Sequence, residues 1–122
     1  MTTAIACAAT LVAAAGCGES DQEQAREVVQ DYADARNGGD FEQVCDLYSD
    51  SFKQELAIEQ NCPAFVEEQT SGADGELSVV DVRVNDDRAT ADLDVQGPDG
   101  PSRVGLTLER EDDDEWRITG LQ

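Results

Sequence analysis

Arg88-Ala89-Thr90-Ala91-Asp92-Leu93-Asp94-Val95-Gln96 decides the fold class. Apolar side chains fill every second position from Ala89 to Val95, and charged, hydroxyl or amide side chains fill the rest. Successive side chains of a strand point to opposite faces of a sheet, so this period predicts a strand with one buried and one wet face. Outward toward the C-terminus, Gly97-Pro98-Asp99-Gly100-Pro101 reads as a turn, and Val104, Leu106 and Leu108 resume the alternation. Asp112 to Glu115 turns the chain again into Trp116-Arg117-Ile118. Outward toward the N-terminus, the turn Asn85-Asp86-Asp87 is preceded by Val80, Val82 and Val84, expected to share one inward face. Connections this short imply an antiparallel meander with one face covered by helices.

Before the break at residues 71–75 the period is helical. Ser20 and Glu23 are spaced as a capping box, in which each side chain satisfies an exposed backbone donor of the other. Ala25, Val28, Val29, Tyr32, Ala33 and Ala35 follow at helical spacing, and Asn37-Gly38-Gly39 stops the helix because Asn and Gly tolerate a left-handed turn. Asp40, with Gln43 as its box partner, opens a second helix whose apolar side is Phe41, Val44, Leu47 and Tyr48. Ser49 to Ser51 interrupts it, and a short segment holds Phe52 and Leu56. A third helical piece opens at Asn61, with Pro63 in its first turn and Phe65 and Val66 facing inward. Helices first and strands second make an α+β domain.

The 122 residues amount to one domain, and composition narrows its chemistry. With 28 acidic and 8 basic residues the net charge is −20, which repels nucleic acid phosphates and anionic headgroups; no nucleic-acid partner is expected. The chain contains no His, which removes His-based triads, His proton shuttles and imidazole metal sites. Asp92-x-Asp94 and Asp112-Asp113-Asp114 do not fit the calcium-loop pattern and read as solvated residues, with weak surface Ca²⁺ binding as the alternative. Phosphate-cradling and nucleophile-elbow motifs are lacking too, so no metal, cofactor or catalytic residue is assigned.

Charge is absent from Met1 to Gly18, and Ala4 to Gly16 is a small-apolar run ending at Cys17. The run is shorter than the ~20 residues of a membrane-spanning helix and suits the hydrophobic part of a signal peptide. Ala14-Ala15-Gly16-Cys17 resembles the lipobox of bacterial lipoproteins, which implies that Cys17 becomes a diacylated mature N-terminus. Ala14 departs from the usual Leu, and no Lys or Arg precedes the run. A plain secretory signal cut after Ala13-Ala14-Ala15, or a buried helix, stays open beside this reading. The expected organisation is a leader over residues 1–16, a lipidated Cys17 and short tether over 17–20, and one domain over 21–122. Cys7 leaves with the leader. Cys45 and Cys62 then remain as an even pair in an exported domain, expected to form a disulfide, with two buried free thiols as the alternative.

Val28-Val29-Gln30-Asp31-Tyr32, Ala35-Arg36-Asn37-Gly38-Gly39-Asp40-Phe41 and Val44-Cys45-Asp46-Leu47-Tyr48-Ser49-Asp50-Ser51-Phe52 together resemble the helical start of NTF2-like domains, the SnoaL/ketosteroid-isomerase superfamily. The closing Trp116-Arg117-Ile118 strand is similar to that family's curved sheet. The chain resembles small exported actinobacterial lipoproteins with this domain and a Cys pair. The resemblance implies a cone of N-terminal helices on a curved antiparallel sheet, with a cystatin-like helix-on-sheet domain as the other candidate. It also implies where isomerase groups would stand. Tyr32 matches the oxyanion Tyr, the base falls at about Leu56, with Asp50 and Glu55 as the nearby acids, and the second acid falls near Val104 or Gly105. Two of the three positions cannot titrate.

The candidate lining of the cone is Val28, Tyr32, Val82, Leu93, Leu106 and Trp116. The expected function is a lipid-anchored protein on the extracytoplasmic face of the cell membrane, not an enzyme, whose domain binds a small apolar ligand or an envelope protein. A homodimer is compatible with this. The competing expectations are an accessory interaction domain with a filled core and a pocket enzyme of isomerase or cyclase type.

Overall fold

A computed structural model describes residues 20–71, 75–97 and 100–121. The leader, Cys17 and the Pro98-Asp99 part of the turn lie outside the described residues. Helix α1 spans Asp21–Gly38, α2 Phe41–Leu47, α3 Asp50–Glu55 and α4 Cys62–Ser71. Strands β1 Glu76–Asn85, β2 Arg88–Gly97, β3 Gly100–Arg110 and β4 Trp116–Leu121 follow, paired antiparallel in the order β1-β2-β3-β4. Helices packed on one face of a curved antiparallel sheet make the α+β cone expected from the sequence.

Local chemistry starts and stops the helices where the sequence places those signals. At Ser20 both arms of the capping box form, and α1 ends as Gly39 takes φ 76°, a left-handed value that costs glycine nothing. Asp40 accepts from the Gln43 backbone N–H at 3.2 Å and caps α2. Ser49 does more than interrupt: its hydroxyl caps α3 by accepting from Phe52 N at 3.0 Å, while its own N–H donates to Ile118 O at 2.9 Å. The Tyr48–Ser49 step thereby hooks the helical layer onto β4. Cys45 of α2 and Cys62 of α4 are joined in a disulfide with 6.0 Å between Cα atoms.

Asn37 has a role beyond helix termination. Its side-chain amide pairs with the backbone of Leu77, accepting from Leu77 N at 2.8 Å and donating to Leu77 O at 2.9 Å. Gln22 donates to Val82 O further along the same strand. These two amides of α1 occupy backbone groups that edge strand β1 would otherwise leave open to another chain.

The inward faces of the strands meet in register: Val84 with Ala89, Ala89 with Leu108 and Leu108 with Ile118 in one row, and Val82 with Ala91 and Ala91 with Leu106 in another. They pack against Ala25, Val29, Tyr32 and Ala33 of α1 to form the core. One expected inward residue is not inward. Val80 is 43% exposed, because the register slips between Val79 and Asp81 and leaves Val80 as the extra residue of a β-bulge. Leu77 and Val79 face the core before the bulge, and Val82 and Val84 after it. A second slip, between Thr107 and Leu108, lies on the β3–β4 ladder. Bulges bend a strand and increase its twist, and these two curve the sheet around α1.

Candidate functional site

A cavity of about 210 Å³ opens between the C-terminal half of α1 and the strands. Its wall is built by Leu77, Val95, Val104, Leu106 and Leu121, with Ser102 and the backbone of Gly75 and Gly105. Gly75 lets the wall close: a Cβ there would meet Val95 Cγ1 and lie 2.8 Å from Gln96 O, too near for any side chain. Tyr32 and Arg36 supply the polar side. No Asp or Glu is among these described lining residues.

Tyr32 and Arg36 are one helical turn apart, so both side chains leave the same face of α1. Arg36 Nη1 donates to Tyr32 Oη at 2.7 Å, and its guanidinium carbon lies 5.7 Å from the centre of the Tyr32 ring. Arg36 stands in the last turn of α1, where the outward carbonyls favour a cation. Its Nε is shielded from solvent and has no hydrogen-bond partner. Leaving such a donor unpaired costs about 1–3 kcal/mol. Behind Tyr32, Tyr48 lies 6.4 Å away ring to ring and meets Phe52 edge-on at 5.0 Å. Burial pushes the Tyr48 phenol's pKa up, the neighbouring Tyr32 adds to the shift, and Arg36 opposes it.

Of the six candidate lining residues, Tyr32 and Leu106 stand on this cavity. Val82, Leu93 and Trp116 are in the core, Trp116 with the Arg110 guanidinium 5.8 Å from its ring, and Val28 packs against the core from α1. Val95, inward by its alternation, lines it too, whereas Arg36, Gly75, Leu77, Ser102 and Leu121 line the cavity without having been singled out as lining residues. For Arg36 a signal existed, since it follows the singled-out Tyr32 at i+4.

The positions that the resemblance assigns to isomerase groups divide. Tyr32, Val104 and Gly105 share the cavity. Leu56 is 37% exposed at the end of α3, and Asp50 and Glu55 beside it are exposed; none of the three lines the cavity. Asp50 instead lies 3.7 Å from Lys53. The acidic turn residues are likewise structural: Asp113 accepts from Glu115 N, and Arg117 lies within ion-pair distance of Glu111, Asp113 and Glu115. What remains at the cavity is a pair of hydrogen-bond donors facing an apolar wall. Such a pair can hold and polarise an oxygen atom. Abstracting a proton beside a carbonyl also needs a base within reach, and the described lining supplies none.

No protein-family model and no curated protein matches the sequence. Solved structures do match in fold. A candidate NTF2-like transpeptidase from Campylobacter jejuni superposes with a TM-score of 0.58 at 13% identity, covering 77% of this chain and 95% of that one. A candidate ketosteroid isomerase from Kribbella flavida gives 0.55 at 17%, covering 83% and 76%. A de novo designed protein with a curved β-sheet gives 0.53 at 18%, covering 80% and 95%. The domain therefore has the NTF2-like fold. Natural proteins given different candidate activities and a designed protein share it, so the fold alone does not assign a function.

Proposed function

We propose that this protein is a lipid-anchored, extracytoplasmic binding protein whose NTF2-like domain holds a small apolar ligand without converting it. The observation that carries the reading is the cavity: apolar on the sheet side, two donors on the helix side, and no carboxylate among its described lining residues. An engineered apolar cavity of about 150 Å³ accepts benzene, so about 210 Å³ suits a ligand on the order of eight heavy atoms. A four-ring steroid exceeds that. A filled-core interaction domain is the weaker reading because it leaves the cavity without purpose.

Thermal unfolding with hexanol tests this. A ligand that binds only the folded state raises Tm with concentration. Hexanol should do so for the natural chain, and Val104→Phe, which fills the cavity from β3, should abolish the rise. No rise in either protein favours the filled-core domain. Turnover of a ketosteroid that Tyr32→Phe removes would make the protein an enzyme.

The anchor rests on Cys17, whose setting of small residues and subsequent acidity resembles a lipobox. Two acyl chains hold a protein stably where one does so only marginally. No basic residue lies near Cys17, so lipid is the whole tether. Cys17→Ser should move the protein from the membrane fraction into the soluble one, and its retention on membranes would refute lipid anchoring.

A further inference from the structure

The eight basic residues of this acidic chain are distributed unequally. Lys53, Arg83, Arg103, Arg110 and Arg117 each lie within ion-pair distance of a carboxylate, and Arg26 and Arg88 are exposed. Arg36 alone is part-buried with no carboxylate in ion-pair reach among the described residues, although 28 acidic side chains are available in the chain. Its one hydrogen bond goes to a neutral phenol, and its Nε, fully shielded, donates to nothing. The guanidinium is thus held at the cavity wall by a bond to a phenol, with its charge unmatched by any described carboxylate.

We propose that the ligand of the cavity is an apolar monocarboxylate, its tail against Leu77, Val95, Val104 and Leu106 and its carboxylate accepting from Arg36. This rests on the binding reading above and adds the ligand's chemical class. A planar fork of donors matches a carboxylate with two parallel hydrogen bonds, and charge-assisted bonds of this kind are about twice as strong as neutral ones. An amine-headed ligand meets a cation there, and an alcohol uses only one donor. The net charge of −20 repels any anion at long range, but salt screens that repulsion beyond roughly 8 Å at physiological ionic strength, whereas a part-buried contact is screened much less. Carboxylate binding should therefore strengthen as salt rises from low to physiological levels, opposite to binding steered by an oppositely charged surface.

Titration calorimetry of the purified protein with hexanoate, hexanol and hexylamine decides it. Hexanoate should bind about tenfold or more tighter than hexanol, with hexylamine weakest. Arg36→Met should erase the hexanoate preference, so that hexanoate binds no tighter than hexanol, and Arg36→Lys should keep part of it. Arg36→Lys also provides the comparison if the Met variant does not fold. Equal binding of hexanoate and hexanol, or a preference unchanged in Arg36→Met or Arg36→Lys, overturns the carboxylate proposal while the apolar-binding function stands. Binding of none of the three probes overturns both.

Discussion

Tyr48 carries a pH dependence that one side chain can be asked to explain. Its phenol is 2% exposed, and burial raises its pKa above the ordinary value of 10.0. Below pH 10 the phenol is protonated in both the folded and the unfolded chain, so the full stability is present. Above that, the unfolded chain releases a proton that the folded chain retains, and stability falls with rising pH by up to about 1.4 kcal/mol per unit. Urea unfolding from about pH 8 to about pH 12 should show this descending arm, and Tyr48→Phe should flatten it. Equal slopes in the two proteins would show that Tyr48 contributes no such linkage. Arg36 makes a different point at the same scale. In sequence it reads as a favourable cation in the last turn of a helix, and only its i+4 relation to Tyr32 marks it. Its separation from every described carboxylate is a tertiary fact that no local pattern encodes.

Among the elements, β1 shows how a reading of alternation succeeds and fails. From Ala89 to Leu93 alternation and observed burial agree, because β2 has partners on both sides and no bulge of its own in either ladder. In β1 both Val79 and Val80 are apolar, so the sequence fits two registers that place opposite side chains inward. The structure combines them by inserting the bulge at Val80. Val80→Lys should therefore change stability by no more than about 0.5 kcal/mol, as an exposed position does. Leu93→Ala, at a fully buried side chain opposite Val79, should cost about 2–5 kcal/mol. A large loss in Val80→Lys by urea unfolding would place that side chain in the core. The cavity was less legible than the elements for a related reason. Gly75, Ser102 and Leu121 lie at or near the ends of strands, beside turn signals, where alternation identifies no face. The helix starts, by contrast, were readable at Ser20 and Asp40 because a cap is chemistry confined to four residues.

At the scale of the whole molecule the balance is between a modest aliphatic core and a net charge of −20. A folded domain of about 100 residues has a radius of gyration of about 13 Å, against about 30 Å unfolded, so folding draws the same charges together. One pair of like unit charges about 13 Å apart in water repels by about 0.3 kcal/mol, and a molecule with 28 acidic residues contains many such pairs. Ion pairs oppose this only locally: Arg83 bridges Asp81 and Asp92, Arg103 meets Asp94, and Arg110 joins Asp21 to Asp87, all on partly or fully accessible surface where such pairs contribute little. Salt acts on both, but the screening length falls from about 30 Å at 0.01 M to about 8 Å at 0.15 M, which removes cross-molecule repulsion before it weakens contacts of a few ångströms. Stability should therefore rise with sodium chloride, most steeply over that interval, by about 1 kcal/mol or more, or roughly 4–8 °C in Tm. Chloride is the anion to use, because sulfate also strengthens apolar burial and would confound the two effects. A Tm that falls over the same interval would mean that the arginine ion pairs, and not the excess of acid, dominate the electrostatics of this fold.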